Sequence, residues 1–434
     1  MKHRKIIFWV IFIFCMSLIF VRYKISINDE GYGKAWYFGD AFSSNNVKSA
    51  AMYYQEHGFS SNDYLPTYNY QDSIVGNEFV YTHYPPLAEW MGGISTRLTG
   101  SHSEYVLSLL PVFLSILLFF LIYKVIEEIT GYATESFIAA SCLVLSNYFL
   151  GWASDFHQHV YIEFGRWLFV WIWWKYLKQQ STSWNIPLLM LIYACICFVS
   201  FEAYVYIAII TVGFAWVLTK KIIRWEIALL LLVPVLMFSL RMYINYHHFH
   251  DWSTTIADFR HAYATRSGVT EGYSELGRKM TLRDYVYFLP QTRFIRLGHF
   301  YLFPSAVLIG LCITGLLKIK SLNKTLFQLC LVVYIACISW TFLMAQHALI
   351  HIFTLRHLAI FVALTLGFGL MSYFEKLKID FHKKNKSMFV LHVMMIAYSI
   401  VYFGINTFYF LYLKYGFMYP HFGTSTFEVT SMFK

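Results

Sequence analysis

Charged side chains are scarce in this chain. Asp, Glu, Lys and Arg make up 13% of its 434 residues, against about 25% in a soluble globular protein. That shortage excludes a soluble domain of useful size. Cysteine is sparse as well. All seven (Cys15, Cys142, Cys195, Cys197, Cys312, Cys330 and Cys337) lie inside hydrophobic runs, so the loops carry no disulfide framework. There is no low-complexity segment and no solenoid-type repeat. The net charge of +10 does not point to nucleic acid, because the basic residues flank hydrophobic spans, where they orient helices. What the chain has in quantity is apolar. Hydrophobic residues reach 58% and aromatics 20%, with 34 Tyr and 41 Phe, and the mean hydropathy is +0.50. This composition belongs to a membrane protein with interfacial aromatic belts.

A transmembrane helix needs about 20 apolar residues. The pattern predicts an all-α integral membrane protein with about eleven spans, at 6–21, 104–123, 132–150, 160–176, 186–200, 203–219, 225–246, 301–317, 326–344, 355–373 and 388–413. The first follows Lys2, Arg4 and Lys5 and no small-residue cleavage site follows it, so it reads as a retained anchor. Alternation then places Lys124, Lys175, Lys178, Lys220, Lys221, Arg224, Lys318, Lys320, Lys324 and the lysines of 376–386 on the side of the N-terminus. The positive-inside bias makes that side cytoplasmic. The chain reads as one polytopic domain over 1–434, with a large first extracytoplasmic loop at 22–103 and a third at 247–300. Segment 86–100 is about half a span long and contains Gly92, Gly93 and Arg97. It reads as a short interfacial or re-entrant helix. Counting it as a full span would invert everything after it.

The most informative stretch closes the first loop: Phe79-Val80-Tyr81-Thr82-His83-Tyr84-Pro85-Pro86-Leu87-Ala88-Glu89-Trp90. Prolines fix φ and restrict the residue before them. The pair can therefore set a rigid entry to the next helix and aim His83 into a cleft; the plainer alternative is that the prolines only start that helix. The first loop also holds Asp29, Glu30, Asp40, Glu56, Asp63, Asp72, Glu78 and Glu89. A His-x-Pro-Pro-Leu string closing the first large loop resembles the GT-C superfamily of membrane sugar transferases. The nearer likeness is to its family-39-like branch, of protein-mannosyltransferase or lipid A aminoarabinose transferase type.

The resemblance implies a base just after the first span, followed by a short helix and a Gly-containing turn. Asp40, eighteen residues before Gly58, is similar to that base; Asp29, in Asp29-Glu30, is the alternative, and a solvated loop carboxylate is the plain reading of either. The family also places a second acid in the next outer loop, near the donor phosphate. In Trp152-Ala153-Ser154-Asp155-Phe156-His157-Gln158-His159 the matching position is Asp155. No cofactor is certain. A divalent metal ion is the possible one, because Asp155, His157 and His159 supply a partial ligand set with no secure fourth. Glu163 and Arg166, one turn apart inside a span, read equally as a structural ion pair. Glu202 sits at a tight outer turn where the family often has Lys-Gly.

The loop 247–300 is the most basic outer segment and runs against the positive-inside bias. Arg293 and Arg296 lie one turn apart just before a span. Arginine forks suit phosphate, so both are candidate donor-phosphate contacts, with attraction to anionic headgroups as the alternative. His351, four residues after His347, and Arg356 at the mouth of the next span form a second candidate set. The resemblance implies a glycosyltransferase of the cell envelope, in polysaccharide or related biosynthesis. It would move a sugar from a polyprenyl-phosphate donor to a glycan, lipid or protein acceptor on the extracytoplasmic face of an inner (plasma) membrane, with His83, Glu202, Arg293, Arg296, Arg356 and His351 contacting substrate. A polymerase or ligase using lipid-diphosphate glycans would rest on the arginines of 247–300 instead. A lipid-linked-sugar transporter would need inverted repeats and broken helices, and the sequence has no repeat.

Overall fold

A computed structural model describes residues 2–27, 41–71, 77–179, 184–269 and 279–382, with a few positions beyond. The protein is built of helices. In chain order they are α1 (Lys2–Ile27), α2 (Ala41–His57), α3 (Leu87–Thr99), α4 (Glu104–Thr130), α5 (Ala133–Val144), α6 (Asn147–Leu150), α7 (Gln158–Leu177), α8 (Asn185–Cys197) and α9 (Glu202–Thr219). There follow α10 (Trp225–Phe249), α11 (Trp252–Ser267), α12 (Leu289–Phe300), α13 (Ser305–Leu322), α14 (Lys324–Leu343), α15 (Ala345–Ile350) and α16 (Ala359–His382). Two strands of two residues, β1 (Thr67–Tyr68) and β2 (Phe79–Val80), pair antiparallel with Thr67 opposite Val80.

Among the described residues, seven helices are long and apolar enough to cross a membrane, which makes this a multi-pass membrane protein. The count of eleven spans is not confirmed. The expected span at 132–150 breaks into α5 and α6 around Leu145 and Ser146. The segments α5 and α8 hold 12 and 13 residues. At 1.5 Å per residue each is shorter than the roughly 30 Å hydrocarbon core. The expected last span lies mostly outside the described residues. Segment 86–100 forms α3, whose 13 residues are likewise too few to cross.

The chain divides into two compact units. One comprises residues 1–22, 122–151 and 279–434. Here α16 packs on α5 and on α13. The α13–α16 crossing is tight enough that a methyl group on Gly315 would land on the Thr365 carbonyl, and one on Gly369 on the Leu311 carbonyl. Glycine is what allows two helix backbones to approach this closely.

The other unit comprises residues 23–121 and 152–278. In it α2 packs on α3, and α7 on α8 and α9. The first-loop helices lock together because α3 turns small residues toward α2. A Cβ on Gly93 would meet Tyr54 Cδ2 at 2.8 Å, and the Thr96 hydroxyl donates to the Ala51 carbonyl at 3.2 Å. Val47, Ala51, Ala88, Leu107 and Phe156 form the apolar core beneath this pair. Helix α3 begins directly after Pro85-Pro86, and its first amide, from Leu87, donates to the Phe198 carbonyl at 3.1 Å. The His-Tyr-Pro-Pro-Leu segment is thereby tied to the turn between α8 and α9.

Candidate functional site

In the unit containing α2 and α7, the polar site is assembled around residues 81–84. The backbone carbonyl of Thr82 accepts two side-chain bonds from α10: Arg241 Nη2 at 2.7 Å and Asn245 Nδ2 at 3.0 Å. These two residues are one helical turn apart, so they reach the same point. One residue further on, His83 Nε2 meets Asp258 Oδ1 of α11 at 3.0 Å. Around this pair, Tyr81 stacks on Tyr68 at 4.5 Å, and the His83 and His261 rings lie 5.7 Å apart. Arg266 Nη2 donates to the Tyr81 hydroxyl at 3.1 Å and the guanidinium lies 4.7 Å from the Tyr84 ring centre. The Tyr68 hydroxyl donates to buried Glu89 at 2.7 Å.

Electrostatics follow from this packing. Burial works to raise the Asp258 pKa, but hydrogen bonds from His83 and Thr82, with the nearby His83 and Arg241 charges, outweigh it and set the carboxyl below its ordinary value. It is therefore ionised at neutral pH and the His83 Nε2–H donates to it. Glu89 goes the other way: burial raises its pKa, and the bond from Tyr68 only partly offsets that. Arg241 is 2% exposed. Its Nε and Nη1, with Asn245 Oδ1 and Asp258 Oδ2, are buried and have no hydrogen-bond partner among the described residues. A guanidinium placed in a membrane helix at that cost, with one nitrogen engaged, marks a polar site rather than a packing accident.

Asp155 lies in the turn before α7 and is 5% exposed. Its Oδ1 accepts from the Ser44 hydroxyl at 2.6 Å and from the His157 amide at 2.9 Å. Ser44 is in the first turn of α2, so Asp155 ties that helix to the start of α7. His159 Nε2 is 4.0 Å from Asp155 Oδ2. These residues do not assemble a metal site: among the described residues no group of three or more His, Cys, Asp and Glu side chains could hold an ion. Asp40, Asp29 and Glu30 lie outside the described residues.

Glu202 opens α9 and is 1% exposed. Its Oε2 meets Arg166 Nη2 at 3.2 Å, while Arg166 Nη1 meets Glu163 Oε1 at 2.9 Å. The expected Glu163–Arg166 pair is thus a triad with Glu202, and Arg166 also lies 4.9 Å from the Tyr206 ring centre.

The remaining candidates sit together in the other unit. Arg296 Nη1 donates to the Leu349 and Ile350 carbonyls at 2.7 and 2.8 Å. Arg293 Nη1 donates to Thr354 Oγ1 at 2.9 Å and weakly to the Ala348 carbonyl at 3.4 Å. The His347 and His351 rings lie 4.6 Å apart, tilted by 50°, and Trp340 Nε1 donates to His347 Nδ1 at 3.1 Å. Arg356 is buried with its guanidinium 5.1 Å from the Phe353 ring centre.

Sequence reasoning had assigned neither Asn245 nor Asp258 to the site, nor Arg241. Its signal was available: an intramembrane arginine with an amide one turn later.

Residues 83–243 match the family model described as dolichyl-phosphate-mannose-protein mannosyltransferase. No curated protein matches the chain. Solved structures with a similar course include the Archaeoglobus fulgidus oligosaccharyltransferase in its apo form, with TM-score 0.47, 12% identity, and coverage of 95% of this chain and 56% of that one. The same protein with Zn and sulfate gives 0.45 and 13%, covering 95% and 53%; tethered to an acceptor peptide with the NVT sequon it gives 0.44 and 13%, covering 94% and 55%. The chain spans about half the length of that protein, and likenesses this distant carry no argument about activity. The family match opens on His83 and takes in Pro85-Pro86, Asp155, Glu202 and Arg241; over that segment, less than half of the chain, the sequence is similar to this family of membrane mannosyltransferases.

Proposed function

We propose that this protein transfers a sugar from a polyprenyl-phosphate donor to a glycan, lipid or protein acceptor on the extracytoplasmic face of an inner membrane, with its N-terminus in the cytoplasm. The observation that carries the reading is the anchoring of His83, the first residue of the family match. Its ring is held by Asp258, and the carbonyl before it by two side chains of a membrane helix. A polar site built into the membrane at this position suits a lipid-linked substrate whose reacting end lies at headgroup depth.

In this mechanism a first-loop carboxylate, Asp40 or alternatively Asp29, takes the proton of the acceptor hydroxyl. The acceptor oxygen attacks the anomeric carbon as the bond to polyprenyl phosphate breaks, and the configuration inverts. The leaving phosphate keeps the electron pair of that bond. His83 and Asp155 orient the donor, and a basic side chain stabilises the charge that develops on the phosphate. No step is routed through a metal ion.

The test is binding of undecaprenyl phosphate to the full chain in lipid nanodiscs. Saturable binding that survives Asp40→Asn and weakens in Arg356→Ala supports the reading. A folded wild type that shows no saturable binding overturns it.

A further inference from the structure

Arginines on the outer side of a membrane protein invite an anionic partner, and Arg293 and Arg296 are the pair nearest a span. The structure gives their donors another use. Helix α15 ends at Ile350; the His351 amide closes its last turn on the His347 carbonyl at 3.0 Å, and the carbonyls of Ala348, Leu349 and Ile350 are left to find other donors. The Ala348 and Leu349 residues are buried, so water is not available to those carbonyls. Arg296 Nη1 bridges Leu349 and Ile350, and Arg293 Nη1 reaches Ala348 and the Thr354 hydroxyl. That hydroxyl in turn donates to the His351 carbonyl at 2.8 Å. At the far end of α12, the Tyr301 hydroxyl donates to the Leu355 carbonyl at 2.9 Å. Two side chains from α12 and that of Tyr301, the residue that caps it, therefore fasten the chain on both sides of His351 and directly before Arg356.

We infer that Arg293 and Arg296 are positioning residues that act through this segment, setting the turn that presents His351 and Arg356, rather than ligands of the substrate. The guanidinium fork suits this role, because one side chain can serve two adjacent carbonyls. Lysine offers the same charge as a compact point on a flexible stem. The purpose of the positioning rests on the proposed function; the positioning itself does not.

The experiment is hydrogen–deuterium exchange across 345–358, in nanodiscs without ligand, for wild type, Arg293→Gln, Arg296→Lys and Arg296→Ala. Undecaprenyl phosphate binding is measured on the same samples. Loss of the fastening opens the segment locally, so the amides of His351 and Thr354 are expected to exchange about tenfold faster or more in Arg296→Ala. Arg293→Gln removes fewer contacts and keeps the variant set informative if Arg296→Ala fails to fold. Arg296→Lys restores neither slow exchange nor binding. Unchanged exchange with binding lost overturns the inference and makes the arginines direct ligands, as does full rescue of binding by Arg296→Lys. If wild type binds no undecaprenyl phosphate but exchange rises in the variants, the positioning stands and only the proposed function falls.

Discussion

The Thr82 carbonyl offers a sharp test of how the His83 segment is held. It accepts from Arg241 and from Asn245, and Thr82 is 9% exposed. Asn245→Ala removes a neutral hydrogen bond and is expected to cost about 0.5–1.5 kcal/mol. Arg241→Met removes a charge-assisted bond of about 1.5–3 kcal/mol. It also relieves the burial of a guanidinium that has two nitrogens without partners among the described residues, a penalty of several kcal/mol by itself. These oppose each other, so Arg241→Met is expected within about 2 kcal/mol of wild type in either direction. In each single variant the carbonyl keeps one donor. In the double variant it keeps none and is buried bare, which adds about 1–3 kcal/mol. The cycle should therefore show a coupling of that size, measured by SDS-induced unfolding in mixed micelles. Additivity within about 0.5 kcal/mol would refute the idea that both side chains serve this carbonyl.

Two further outcomes follow from the packing and charge. The Asp258 carboxyl titrates below its ordinary value in the folded protein, so its contribution is present above the unfolded carboxyl pKa of about 3.9 and is lost as pH falls through the depressed folded value. The stability advantage of wild type over Asp258→Asn should be constant near neutrality and shrink in acid; an advantage that grows on acidification contradicts the His83–Asp258 assignment. On α13, Gly315→Ala should cost about 1–3 kcal/mol or more through overpacking, whereas Gly310→Ala, whose methyl would meet nothing within 4 Å, should leave the melting temperature unchanged. Equal effects at the two positions would contradict the described α13–α16 crossing.

Much of the architecture was legible in the sequence because hydrophobic periodicity and length report directly on helices. The starts of α4 at Glu104 and α10 at Trp225, and the end of α9 at Thr219, fall where the apolar pattern places them. The half-length segment after Pro85-Pro86 is indeed a short helix. The break between α5 and α6 was not legible, since no proline or glycine marks Leu145-Ser146. The site was less readable for a different reason. His83 and Asp258 are 175 residues apart, and no local pattern links them. Arg293 and Arg296 were visible as misplaced charges, but like Arg241 they donate to backbone carbonyls. Every residue has a carbonyl, so such a partner leaves no trace in composition or spacing, and a charge looking for an anion was the natural reading.

The glycine crossing bears on how the chain is made. Helix α16 fits against α5 through Gly367, whose added methyl would strike the Glu135 carbonyl, and against α13 through Gly315 and Gly369. Translation delivers α5 and α13 well before α16. Until the last of these leaves the ribosome, the surfaces shaped for it face lipid or insertion machinery. A chain truncated before residue 359 would therefore keep the family-matched segment intact yet leave its other unit without the helix that closes it. Such nascent intermediates would be natural clients for membrane quality control.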